Sequence, residues 1–277
     1  IYSGLYNSIS GINNLNQFIM AEKITKDINP IYGSIQKLHS RNTDLVTLCE
    51  DKVLKILANK DAVFNADGNP QLTATENVLG QTIPFVGEYG ISKNPESFAS
   101  EAYRAYFTDK VRGTVMRLSK DGLTAISEHG MKDWFRDNLK LSYQLIGSYD
   151  DRKDEYNLTV KQNDTTVQTS NNTTITANNT TTISFKENVK GWVSFKSFVY
   201  ENANSAANEY FTFLDGHLWK HHHEGPALNP HPRNTFYNNP PVPSSFNVIL
   251  NDLPGSIKSF NTLNYEGSQS KIQQLID

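Results

Sequence analysis

Five of the seven histidines crowd into one stretch, as His217, His221, His222, His223 and His231. Imidazoles are the commonest ligands of transition metals, so metal binding is the first chemistry to weigh. Successive residues on a strand point to opposite faces, and three consecutive histidines therefore cannot converge on one ion. His221 and His223 share a face, and His231 is the third candidate ligand. Glu224 adjoins the run, but no acidic residue stands at a recognisable ligand spacing. Gly225-Pro226 and Asn229-Pro230-His231-Pro232 make the segment irregular. The expectation is a polar loop at an interface, with no cofactor.

Two groups of carboxylates, Glu50 with Asp51 and Asp150 with Asp151 and Asp154, have the pairing that glycoside hydrolysis uses. Each group falls in an expected turn, where acidic side chains bond the backbone amides that follow. No glycine-rich phosphate loop, nucleophile elbow or zinc-hydrolase motif occurs. The chain is thus expected to be no enzyme and to have no catalytic residues. Lys93, Lys110, Arg112 and Arg117, with Lys120 beside them, form a local basic set that could line a channel or interface and face DNA phosphates. A solvated strand face accounts for them equally well. Trp192, Trp219, Tyr200 and Tyr237 are candidates for stacking on sugar rings. The one cysteine, Cys49, lies in the apolar run Leu45-Val46-Thr47-Leu48-Cys49 and reads as a buried strand thiol.

These groups have to be positioned by short strands. The chain has 277 residues, 37% of them hydrophobic, and a net charge of −3. That charge excludes a global basic field for nucleic acid, and a lone cysteine excludes a disulfide within the chain. No apolar run approaches the roughly 18 residues of a membrane span. With Ile1 in first place and no signal-peptide pattern, the chain reads as a piece of a longer polypeptide.

The clearest strands are in Tyr103 to Ser127. Tyr103, Ala105 and Phe107 alternate with Arg104 and Tyr106. Thr114, Met116 and Leu118 alternate with Val115 and Arg117. Asp109 to Gly113 and Lys120-Asp121-Gly122 make the reversals, the second with a strong hairpin signal. This β-meander is the unit of a propeller blade. Related strand and acidic-turn patterns occur near Asp51, Asp151 and Asp215. Asn59-Lys60-Asp61 reads as a further turn, Phe18 to Ala21 as a strand, Ile35 to Ser40 as strand or helical turn, and Gly130 to Asn138 as a short helix. Thr165 to Thr182, almost all Thr and Asn, reads as an exposed surface ribbon able to form a hairpin. It and its surroundings carry Asn-X-Thr sequons at Asn157, Asn163, Asn172 and Asn179, for which a plain surface ribbon is expected over glycosylation.

The expected fold is therefore all-β, with β-propeller-like meander blades, long polar loop insertions and at most one or two short helices. Residues 1–42 would be lead-in strands, 43–160 a propeller-like domain, 161–185 the Thr/Asn insertion, and 186–277 the remaining strands and C-terminal segment.

Four segments resemble the tail stabilisation or muzzle proteins of crAss-like and related marine tailed bacteriophages. They are Phe64 to Leu72, Gly87-Glu88-Tyr89-Gly90-Ile91-Ser92-Lys93-Asn94-Pro95-Glu96-Ser97-Phe98, Tyr106-Phe107-Thr108-Asp109-Lys110-Val111-Arg112-Gly113, and Asn264 to Ser270; the second and third are the most specific. The resemblance covers most of Asp27 to Lys271, and this chain would be the C-terminal part of a full-length member. It implies a virion structural protein similar to the nozzle, or packaged-DNA stabilisation, proteins of short-tailed phages, with no catalytic residues to carry over. The implied partners are copies of itself in a symmetric ring (a hexamer, for instance), other tail proteins and passing phage DNA. The alternative expectation is a carbohydrate-binding or glycan-depolymerising tail module that recognises a host-surface glycan.

Overall fold

Strands buried on both faces need partners on both sides, and the alternation around Phe107 sets this out. In the computed structural model, which describes residues 1–4, 6–18, 24–41, 44–64, 70–168, 174–177, 179–223, 232–247 and 253–262, a short hairpin of β1 (Tyr6–Asn7) and β2 (Ile12–Asn13) comes first. Four antiparallel sheets then follow in chain order. The first meander is β3 (Ile35–Arg41), β4 (Asp44–Cys49), β5 (Val53–Phe64) and β6 (Pro70–Pro84). The second is β7 (Ala99–Ser100), β8 (Ala105–Asp109), β9 (Thr114–Ser119) and β10 (Gly122–Ala125). The third pairs β11 (Gln144–Asp150) with β12 (Glu155–Lys161), which leads through the inserted hairpin β13 (Thr165–Gln168) and β14 (Thr174–Ala177) to β15 (Thr181–Lys186) and β16 (Gly191–Lys196). The fourth has three strands, β17 (Asn202–Ala206), β18 (Glu209–Leu214) and β19 (His217–Lys220).

Three cores lie between consecutive meanders, and period-two alternation assigns side chains to them. Val46, Leu48 and Val53 pack against Ala105, Phe107, Met116 and Leu118 between the first and second. From the opposite faces of the same strands, Tyr106 and Val115 enter the next core with Leu145, Tyr156, Leu158, Val160, Ile183 and Phe185. Ile146, Phe198, Tyr200 and Tyr210 fill the space between the third and fourth. All five residues of β8 are consequently buried. Burying a side chain such as Phe107 contributes about 1.5–3 kcal/mol, so each interface between meanders is substantial. The architecture is all-β: a succession of blade-like meanders, with no ladder among the described residues tying the fourth back to the first.

The helix foreseen around Trp134 is α1 (Lys132–Leu141), the one α-helix among the described residues. Phe135 and Leu139, four apart and so on one face, are its buried positions. Phe135 meets Trp192 with ring centroids 4.4 Å apart. Ile35 to Ser40 is strand, and its pairing with Asp44–Cys49 starts the first sheet before residue 43. The Thr/Asn segment forms the foreseen hairpin.

Two local expectations are corrected. Asn59-Lys60-Asp61 does not reverse the chain: β5 runs through it, and the ladder with β6 extends from Leu54↔Pro84 to Phe64↔Pro70. Register shifts at Ile56/Ala58 and Ala58/Lys60 absorb the turn-forming residues, as bulges do in long ribbons. Tyr103 stands outside the strand, 78% exposed, because Glu101 and Arg104 close a turn that delays β8 to Ala105. The strand expected at Phe18 to Ala21 and the segment Asn264 to Ser270 fall at residues 19–21 and 264–270, outside the described residues. Residues 243–277 form a separate unit, in which Ser256 N–H and Lys258 Nζ donate to the Leu253 carbonyl at 3.0 and 2.8 Å.

Candidate functional site

The first strand of each meander is an edge strand, and these four edges meet on one cleft of ≈ 430 Å3. Strand β3 contributes Lys37, His39 and Ser40, and the β7 region Phe98 and Ser100. The end of β11 contributes Tyr149 and Asp151, and β17 Asn204 and Ser205. The His39 ring lies 5.1 Å from Phe98, and Lys37 Nζ sits 5.5 Å over the same ring. Burial, with Lys37 and Arg41 nearby, lowers the His39 pKa. Burial, helped by the charges of Asp150 and Asp154, raises that of Asp151. Ser205 Oγ donates to the Tyr149 carbonyl at 2.7 Å and accepts from Asp151 N–H at 3.1 Å, which fixes the third and fourth edges together. Sequence reading singled out Asp151 alone from this set, as a turn carboxylate. The others come from four strands far apart in sequence, and no spacing motif links them.

The basic set does not assemble into an open field. Arg112 Nη1 pairs with Asp109 at 2.9 Å and with Asp51 at 3.4 Å. Arg117 Nη1 pairs with Glu187 at 2.8 Å, and Lys110 Nζ donates to the Ser142 carbonyl. Lys93, largely exposed, stands 3.9 Å from Glu50. Glu187 also accepts from Tyr106 Oη at 2.8 Å, so Arg117 and Tyr106 tie the second meander to the turn after β15. Tyr106 stacks on Tyr156 at 4.8 Å and on Tyr149 at 5.7 Å.

In three of the acidic turns a carboxylate is bonded into the fold. The Asp109 carboxylate, fully buried, accepts from Gly90 N, Ser92 Oγ, Arg112 N and Arg112 Nη1 at 2.9–3.1 Å. Asp150 accepts from Arg152 N and Lys153 N at 3.1 and 3.2 Å and contacts His222 Nε2 at 2.6 Å. Glu50 is bonded by the Ser34 hydroxyl and amide, which hold its pKa low. Cys49 is buried, and burial pushes its thiol pKa up.

Three of the four proposed sugar-stacking aromatics are committed elsewhere. Tyr200 is fully buried, its hydroxyl bonded to Ser148 Oγ and the Asn157 carbonyl. Trp192 is packed against the core between the second and third meanders, with Nε1 on the Ile126 carbonyl. Tyr237 packs on the core beside Tyr210. Trp219, half-buried, meets Tyr237 edge-on at 5.4 Å. The sequon residue Asn157 is 1% exposed and inaccessible to a glycosylation enzyme.

The histidine run is divided by its surroundings. His221 is buried against Phe198 and Tyr210, and its Nε2 lies 2.8 Å from Thr212 Oγ1. His222 turns to Asp150, and His231 lies outside the described residues. No group of three metal-ligating side chains occurs among the described residues. Burial, reinforced by His222 and opposed by Asp150, lowers the His221 pKa from 6.5 to about 4. A base whose folded pKa is depressed keeps its full stabilising contribution above its unfolded value. That contribution is lost as pH falls from about 6.5 toward about 4, because the unfolded chain takes up the proton first. The expected loss from this group is about 2 kcal/mol by pH 5. Urea melts of wild type and His221→Gln at pH 7.5 and 5 should show the smaller acid loss in the variant.

No protein-family model matches the sequence, and no curated protein matches it.

Proposed function

We propose that this chain is a non-enzymatic structural subunit of a bacteriophage tail, a muzzle or nozzle component that forms a ring with copies of itself around the DNA exit channel. One observation carries the reading. The two most specific segments of the resemblance, Gly87 to Phe98 and Tyr106 to Gly113, are the two sides of a single joint. Gly90 N and Ser92 Oγ donate to Asp109, Val111 N donates to Ser92 Oγ, and Thr108 N donates to Ser97 Oγ. The same first segment reaches back to the first meander, with Ile91 N and Ser92 N donating to the Cys49 and Glu50 carbonyls at 3.0 Å.

The residues that carry the resemblance thus lock two blade-like meanders together, and rigidity is what the wall of a channel requires. The pairing of Arg112 and Arg117 with carboxylates suits such a wall, since each free cation on a DNA phosphate would add to affinity and hinder sliding. A ring also needs two different surfaces that meet head to tail.

Light scattering of the full-length protein after size-exclusion chromatography should give a discrete oligomer, and gold-labelled antibodies should mark the tail tip of intact virions. A strictly monomeric full-length protein that is absent from purified virions would overturn the reading.

A further inference from the structure

Residues 232–242, without helix or strand, pack as a strap on the core between the third and fourth meanders. Two rings hold it there: Phe236 lies 5.1 Å from Phe198, and Tyr237 meets Trp219 edge-on at 5.4 Å. Its polar anchor is Tyr237 Oη, 3.1 Å from Thr212 Oγ1. Inside the strap, Asn239 N–H donates to the Phe236 carbonyl at 3.0 Å and Val242 N–H to the Asn234 carbonyl at 2.9 Å. Strain opposes this docking. Asn234, Tyr237 and Asn238 have left-handed backbone, with φ of +53°, +56° and +59°. Asparagine tolerates that region, but a bulky residue such as Tyr237 is an outlier there. Trp219 Nε1–H is also buried with no hydrogen-bond partner among the described residues, which carries a desolvation cost. Strained backbone of this kind persists only where its surroundings over-determine it, and it collects at switch regions.

His221 sits at the anchor. Its Nε2 lies 2.8 Å from the same Thr212 Oγ1, and its ring is 6.1 Å from Phe236, 6.0 Å from Tyr237, 4.8 Å from Phe198 and 5.1 Å from Tyr210. We propose that residues 232–242 are an acid-sensitive strap, docked while His221 is neutral and released when it is protonated. With the proton on Nδ1, Nε2 accepts from the Thr212 hydroxyl, whose oxygen in turn accepts from Tyr237 Oη–H. A protonated Nε2 donates to Thr212 instead. The Thr212 and Tyr237 hydroxyls then have to be rearranged, at the same step that sets a cation among the rings. The ionisable groups facing His221 are Tyr210 from β18, Tyr237 from the strap, His222 beside it and Asp150 from β11. Burial keeps both phenols neutral, raising the pKa of Tyr210 and pushing that of Tyr237 up to about 12. Asp150 is already engaged by His222 Nε2 at 2.6 Å and by two amides of its own turn. Opening the strap returns His221 to water, so the difficulty of charging it falls on the docked state. Docking is therefore favoured fully above about pH 6.5 and weakens as pH falls toward about 4. Residues 243–277 follow the strap as a separate unit, and release lengthens the tether that carries them.

The strap is independent of ring formation, and its test uses the whole purified chain. Amide hydrogen exchange would be followed by mass spectrometry at pH 7 and pH 5, with each rate divided by the intrinsic rate at that pH. Peptides spanning 232–242 should lose protection by about twentyfold at pH 5, the ratio set by a histidine of pKa about 6.5 when open and about 4 when docked. Peptides from β12, in the adjoining sheet, should keep theirs. His221→Gln carries no charge and keeps a side-chain amide for Thr212, so it should remove the pH dependence. Tyr237→Phe is the second variant: it deletes the anchor hydroxyl and should speed exchange of the strap severalfold at pH 7. Unchanged strap protection in the wild type at pH 5 overturns the proposal. Loss shared equally by β12 overturns it as global unfolding. A full pH response in His221→Gln overturns it by assigning the proton to another group, and Tyr237→Phe without effect overturns it by removing the anchor from the mechanism.

Discussion

Replacing Asp109 by alanine is expected to cost about 3–5 kcal/mol, the range for stripping one partner from a buried, hydrogen-bonded charge network. The carboxylate has no solvent exposure and satisfies four donors from three residues. Its removal leaves Gly90 N–H without its acceptor in the interior and frees Ser92 Oγ, which itself accepts from Val111 N–H. Each buried donor left unsatisfied costs about 1–3 kcal/mol. Arg112→Ala removes only one of the four donors, from a guanidinium that is about one-third exposed, and should cost clearly less. With total stabilities of about 5–15 kcal/mol for folded domains, Asp109→Ala brings the protein near unfolding. Urea denaturation decides the matter: the midpoint should fall sharply for Asp109→Ala and modestly for Arg112→Ala. Equal, small shifts would mean that the joint between the first and second meanders does not rest on Asp109.

Asp109 also shows how far sequence reaches. Its place at a turn was legible because Asp followed four residues later by Gly113 marks a reversal, and because Tyr106, Phe107, Val115 and Met116 alternate on either side. The alternation even sorted the side chains correctly, with Phe107, Met116 and Leu118 facing the first meander and Tyr106 and Val115 the third. What one sequence did not display was the partner of each face. Gly90 and Ser92, which bond Asp109, lie before β8, and no local rule sends them there. Lys37, Ser100 and Asn204 were invisible for the same reason in stronger form. They are ordinary polar residues on edge strands, and only the succession of meanders brings those edges together. The aromatics went the other way: Tyr200 and Trp192 look available in sequence, yet the hydroxyl of one and the indole N–H of the other find interior acceptors, which lets both be buried.

The same packing leaves Gly147 no room for a side chain. A Cβ there would stand 2.0 Å from the Ser97 carbonyl oxygen and 2.9 Å from Tyr156 Oη, inside the hydrogen bond that Tyr156 donates to Ser97. The backbone at Gly147 is not in the left-handed region. If only conformational freedom mattered, alanine would stabilise a strand interior by about 0.5–1 kcal/mol. Sterics predict the opposite sign. Ser97 cannot retreat easily, since its Oγ accepts from Thr108 N–H and donates to the Asn94 carbonyl. The overpacking range of 1–3 kcal/mol, occasionally more, should therefore be reached at its top, about 3 kcal/mol. Gly216→Ala provides the contrast: φ is +74° with no atom within 4 Å, so the cost is that of left-handed backbone alone, about 1–2 kcal/mol. In thermal melts Gly147→Ala should fall by about 6–12 °C, and Gly216→Ala by less. A Gly147→Ala protein that melts at or above wild type would mean that β11 can move away from Ser97. The second and third meanders would then not be held at a fixed spacing, and the cleft edge formed by Gly147 and Phe98 would be adjustable.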